Sequence, residues 1–148
     1  MKTILDTSDS WRWFPLTAEY KDRELKLILE EGAIQGQTIS VEITSGIVLE
    51  NLKPIEVISN SRKILIHFTD VKFIQIFDEV AHLAHLTESR DMGIVAQHHS
   101  SELISWIGKS TKLSEITLGE LFHYSVETAE DFYHVITREH PTVREFDV

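Results

Sequence analysis

Thr38-Ile39-Ser40-Val41-Glu42-Ile43-Thr44 carries the cleanest two-residue period in the chain. Ile39, Val41 and Ile43 fall on one side, and Thr38, Ser40 and Glu42 on the other, which is the alternation of a strand. The flanks agree. Upstream, Leu25, Leu27 and Leu29 alternate within Glu24–Glu30, and Gly32 and Gly36 bracket a turn. Downstream, Ser45-Gly46 marks another turn and Ile47-Val48-Leu49 opens a further strand. The break at Asn51–Pro54 ends that strand, because proline cannot donate into a ladder.

The same logic extends outward. Ser59-Asn60-Ser61 is turn chemistry, and Lys63–Phe68 is a strand with Ile64, Ile66 and Phe68 on one side. After Thr69-Asp70, the run Val71–Phe77 is apolar on both faces apart from Lys72 and Gln75, which suits a central strand. Two readings of 73–87 stand. Phe73, Phe77, Val80 and Ala84 also recur at helical spacing, but Phe and Ile favour a strand as far as Asp78. A short helix is predicted near 100–108, with Ser100 or Ser101 as its cap and Glu102 in its first turn. Leu103, Ile104 and Ile107 form its stripe, Trp106 joins the core beside them, and Gly108 ends it in the left-handed conformation. Glu120–Val126 and Phe132–Thr137 then form a hairpin, and Pro141 stops the last strand.

Residues 1–20 read as an irregular lead-in whose rings, from Trp11-Arg12-Trp13-Phe14, dock on the domain. The expected architecture is a single α+β domain over 1–148. It is mostly antiparallel β, a meander-like sheet or partly open barrel with one short helix packed on it.

Composition narrows the function. The 148 residues contain 24 acidic and 14 basic side chains, a net charge of −10, and no cluster of Lys and Arg to neutralise phosphates. Nucleic acid and anionic membrane surfaces are therefore excluded as expected partners, while a protein with a basic surface is favoured. No apolar run approaches the length of a bilayer span. Met1–Asp6 lacks the apolar core of a signal peptide, so the expected location is cytoplasmic. With no cysteine, there are no thiolate nucleophiles and no cysteine zinc sites. Phosphate-binding glycine loops and G-x-S-x-G or H-E-x-x-H motifs are also missing. Adjacent carboxylates such as Asp78-Glu79 and Glu130-Asp131 would point to opposite faces of a strand.

Eight histidines are the most suggestive local feature. His82 and His85 form H-x-x-H, and His98 and His99 are adjacent. On a helix, His82 and His85 would share a face with Asp78, a ligand set for a transition metal or an attachment point for haem. On a strand they would point apart, and the spacing lacks the third ligand that makes zinc motifs specific. His123 and His134 fall on the C-terminal hairpin at positions that read as outward-facing. Trp11, Arg12 and Trp13 are candidates for a protein-binding hot spot, set against clamping of the rings on their own core.

Several segments recur in order: Ser101-Glu102-Leu103-Ile104-Ser105-Trp106-Ile107, Leu121-Phe122-His123-Tyr124-Ser125-Val126, Asp131-Phe132-Tyr133-His134-Val135-Ile136 and His140-Pro141-Thr142-Val143. Through them the C-terminal half resembles a group of small bacterial proteins that includes immunity proteins encoded beside polymorphic toxins. The resemblance implies a compact binder without catalytic residues, whose acidic face opposes a basic nuclease; no cofactor is expected. The leading expectation is thus a non-enzymatic protein-binding domain of the immunity type. The alternatives are a histidine-based metal- or haem-binding protein and a small-molecule-binding domain. Open sheet edges leave pairing with a second copy available.

Overall fold

The computed structural model describes residues 12–78, 89–112 and 119–146. Two four-stranded antiparallel sheets pack face to face. The first contains β1 (Trp13–Lys21), β2 (Glu24–Glu31), β7 (Lys63–Phe68) and β12 (Thr142–Phe146), in the order β1-β2-β7-β12. The second contains β8 (Val71–Asp78), β9 (Val95–His98), β10 (Phe122–Glu127) and β11 (Asp131–Thr137), in the order β8-β11-β10-β9. Between β2 and β7, the short strands β3 (Ala33–Ile34) and β6 (Ile55–Glu56) pair with each other, as do β4 (Ile39–Thr44) and β5 (Ile47–Leu52). The helix α1 (Glu102–Ser110) lies on the outer face of the second sheet. The α+β, mostly antiparallel expectation holds, and among the described residues the sheets are open rather than a closed barrel.

The core follows from the alternating leucines and isoleucines. Leu25, Leu27 and Leu29 on β2 and Ile64, Ile66 and Phe68 on β7 are all buried on one face. That face meets Tyr124, Val126, Tyr133 and Val135 of the second sheet. Phe68 and Tyr124 touch edge-to-face across the interface, with centroids 5.9 Å apart. The opposite face of the second sheet carries Leu121 and Ile136, which α1 covers with Leu103, Ile104 and Ile107.

Five expectations are corrected. The lead-in is not irregular from Trp13 onward, because 13–21 is an edge strand. Pro15 is tolerated there at a bulge between Pro15 and Thr17, where no ladder donor is required. Val71–Phe77 is at the margin of its sheet rather than central. Its two apolar faces are covered by different layers, Ile74 by the sandwich core and Phe73 by α1. Gly108 does not terminate α1, which runs to Ser110. Thr111 ends it instead, with Thr111 Oγ1 donating to the Ile107 carbonyl at 2.8 Å. Trp106 is half exposed on that helix, resting edge-on against Phe73. Finally, Pro141 follows the end of β11 but does not end the fold, since β12 returns to pair with β7.

Thr69-Asp70 is a corner rather than a hairpin. The chain crosses there from the first sheet to the second, and crosses back between β11 and β12. Thr137 Oγ1 donates to the Thr69 carbonyl at 2.7 Å and ties the two crossings together. Asp70, at φ 49, completes the corner with an ion pair to Lys72 at 2.6 Å. That hydrogen bond holds the Asp70 carboxyl below its ordinary range. No helix among the described residues is long and apolar enough to cross a membrane.

Gly32 joins β2 to the 33–56 segment. A Cβ there would lie 2.5 Å from Ile55 Cγ2 and 2.6 Å from Phe14 Cε2. Its N–H also donates to the Arg12 carbonyl at 2.6 Å, so the backbone cannot retreat without losing that bond. Gly32→Ala is therefore expected to destabilise the protein by about 1–3 kcal/mol, the usual cost of overpacking. A lower urea midpoint at unchanged slope would register it, and an unchanged midpoint would show that the junction relaxes freely.

Candidate functional site

Two regions differ from the packed sandwich. The first is the hairpin β4–β5, in which every residue of both strands is exposed. Ile39 pairs with Leu52 and Val41 with Leu49, which places these four side chains on one face. A simple ladder would put Leu49 and Leu52 on opposite faces. Asn51, at φ 59 between them, supplies the bulge that brings them to the same side. The other face carries Glu42, Val48 and Glu50, and Glu42 also caps the turn by accepting from the Gly46 N–H at 3.1 Å. One side of the arm is thus aliphatic along its length, while the other mixes carboxylates with the exposed Val48 and Ile47. β4 and β5 pair with no other strand among the described residues.

The second region is a buried histidine cluster on the α1 side of the second sheet. Register builds it. His123 on β10 lies directly opposite His98 on β9, while His134 on β11 lies opposite Ser125, two residues along β10 on the same face. The rings of His98 and His123 stack at 3.9 Å, and His134 stands 5.2 Å from His123. Phe77 of β8 packs edge-on against His134. All three imidazoles are buried.

Polar contacts hold the rings. His98 Nε2 is 2.8 Å from Ser125 Oγ, and His123 Nε2 is 2.9 Å from His134 Nδ1. Ser101, the N-cap of α1, accepts from the Ile104 N–H at 3.0 Å and lies 2.8 Å from His123 Nδ1. Two proton assignments satisfy the chain: Ser101 donates to His123 Nδ1 and His123 Nε2 to His134, or His134 Nδ1 donates to His123 Nε2 and His123 Nδ1 to Ser101. Beside the cluster opens a cleft of about 330 Å³, lined in part by His98, Ser101, Ile104 and Glu120.

The histidines proposed from sequence separate. His98 belongs to the cluster. His99 turns away and pairs with Asp91 at 2.7 Å, a hydrogen bond that holds the Asp91 carboxyl below its ordinary range. His82 and His85 lie outside the described residues, as does Trp11. Arg12 is half-buried, and Trp13 is fully buried in the core.

Sequence reasoning passed over His123 and His134 by assigning them an outward face. The signal was present. Strand periodicity puts His123 on the side of Leu121, and the apolar stripe of α1 needs a sheet face to cover. No protein-family model, curated protein or solved structure matches the chain.

Proposed function

We propose that this is a non-enzymatic protein-binding domain that presents the β4–β5 arm to a partner with an apolar groove rimmed by Lys and Arg. The observation that carries the proposal is the uncovered aliphatic face of Ile39, Val41, Leu49 and Leu52 on a two-stranded ribbon. Such a ribbon is marginally stable in water by itself, and a contiguous exposed apolar face of this kind marks an interaction surface. The outer edges of β4 and β5 also offer backbone donors and acceptors for an added strand. Glu42 and Glu50 on the reverse face, together with the net charge of −10, fit a basic rim and speed encounter with it. The resemblance of the C-terminal half to toxin-immunity proteins supports the same reading, with a basic toxin as the partner.

The test uses the doubly substituted arm Val41→Thr/Leu49→Thr, which removes the apolar pair while keeping residues that suit a strand. Both positions are surface-exposed, so stability is expected to stay within about 0.5 kcal/mol of wild type. Immobilised wild-type chain is expected to capture a basic protein from extracts of its host, with release at raised salt. Removing central apolar contacts costs at least about 2 kcal/mol, so the variant binds that protein roughly thirtyfold more weakly or worse. Equal capture by both proteins, or by neither, would sink the proposal.

A further inference from the structure

The geometry points to a binding site for one divalent late first-row transition-metal ion, Zn²⁺ or a similar cation, at His98, His123 and His134. These three side chains each offer a ligand nitrogen, and the nitrogens all lie within 4.8 Å of one another. Three strands supply them, one each from β9, β10 and β11, so the sheet itself fixes their spacing. Imidazole is the ligand preferred by Zn²⁺, Cu²⁺, Ni²⁺ and Co²⁺, and a set of three leaves a fourth position for water.

His123 carries the outer-shell support expected of a ligand. Its Nε2 faces His134, while its Nδ1 is already held by the Ser101 hydroxyl at the start of α1. With a metal ion on Nε2, the His123 proton sits on Nδ1 and donates to Ser101, which fixes the ring and raises its basicity. Nε2 of His123 and Nδ1 of His134, now 2.9 Å apart and sharing a proton, would share the ion instead.

Closing the set requires one rearrangement. Bond lengths of about 2.0–2.1 Å in a tetrahedron place ligand nitrogens about 3.3 Å apart, so the widest separation must contract by about 1.5 Å. Stacked rings direct their lone pairs in parallel, and His98 must therefore turn out of its 3.9 Å stack on His123. It has room to do so, because it borders the cleft that also reaches Ser101 and Glu120. The turn exchanges the His98–Ser125 hydrogen bond for a metal bond and brings the open coordination position toward solvent.

Untagged protein, stripped with a chelator, is titrated with Zn²⁺ by calorimetry and with Co²⁺ by visible absorption. One equivalent of each is expected, in mutual competition, with the absorption bands of four-coordinate Co²⁺ and a rise in Tm. His123→Gln and His134→Gln are expected to weaken binding well beyond tenfold, and Ser101→Ala by about tenfold through the outer shell. His99→Gln and the double variant His82→Gln/His85→Gln are expected to bind as wild type. Wild-type protein that takes up no ion overturns the site, as does affinity unchanged in His134→Gln or lost in the His99 or His82/His85 variants. If the glutamine variants fail to fold by circular dichroism, histidine side-chain NMR of the wild type decides. One equivalent of Zn²⁺ must shift the imidazole signals of His98, His123 and His134, and shifts confined to other histidines overturn the site.

Discussion

Trp13→Ala is expected to lower the free energy of unfolding by about 3–5 kcal/mol, the cost of emptying a large aromatic site in a packed core. Typical domains hold only about 5–15 kcal/mol in total, so much of the population would unfold under mild denaturant. Trp13 is fully buried in the cluster shared by both sheets. Its carbonyl accepts from the Ala129 N–H at 2.8 Å, which links β1 to the β10–β11 turn of the opposite sheet. The Arg62 guanidinium lies 5.8 Å from the ring and is held by two hydrogen bonds to Glu31, at 2.7 and 2.9 Å. Trp13→Phe is expected to cost under half as much. It keeps an aromatic ring and removes an indole N–H that is buried with no hydrogen-bond partner among the described residues. Urea denaturation of both variants provides the measurement. A small loss of stability in Trp13→Ala, accompanied by lost partner binding, would move this residue from the core to an interface.

Alkaline pH is expected to weaken the fold in a defined window. Burial, aided by the Asp91 charge, pushes the Tyr124 phenol from 10.0 up to about 12. Burial and the neighbouring Asp131 carboxylate do the same for Tyr133, from 10.0 to about 12. In the unfolded chain both phenols ionise near their ordinary value, so above that pH the unfolded state sheds protons that the folded state retains. The stabilisation is complete below pH 10 and is lost as the pH rises from 10 to about 12. Two of the three tyrosines should then show phenolate absorbance only as native circular dichroism disappears. Tyr133→Phe should narrow the loss, because it deletes one of the two groups. Reversible ionisation of all three tyrosines at pH 10 with the fold intact would refute the assignment.

Much of the sandwich was legible in the sequence. The alternation of Leu25, Leu27 and Leu29, and of Ile64, Ile66 and Phe68, defines the face that the first sheet buries. The β10–β11 hairpin is local, and its turn is built by Thr128, whose Oγ1 accepts from the Asp131 N–H at 3.0 Å. β1 was hidden because its turn lacks the glycine signal. Asp22 and Arg23 occupy the two left-handed positions, at φ 53 and 63, where Asn-Gly or Asp-Gly is the usual pair. β12 was hidden because its partner, β7, lies far away in sequence, and no local pattern specifies a long-range pairing.

Periodicity also has a physical limit that three elements expose. It tells which side chains share a face, not what covers that face. Thr38–Thr44 alternates as cleanly as β2, yet its apolar residues meet solvent. Val71–Phe77 is apolar on both sides because two layers cover it, not because strands flank it. His123 and His134 sit at strand positions that face solvent in a one-layer sheet, and α1 turns that face into an interior. The histidine cluster depends on pairing among three strands, so spacing along the chain carries no trace of it.

The arm is joined to the sandwich through the two-residue ladder of β3 and β6, and the side chains of β4 and β5 contribute to neither buried cluster. Substitutions there are released from the stability threshold that constrains the rest of the chain. The exposed faces of such a ribbon can change, or the ribbon can be exchanged for another of different length, while the scaffold stays fixed. Selection on partner choice and selection on folding would then act on separate parts of one small protein.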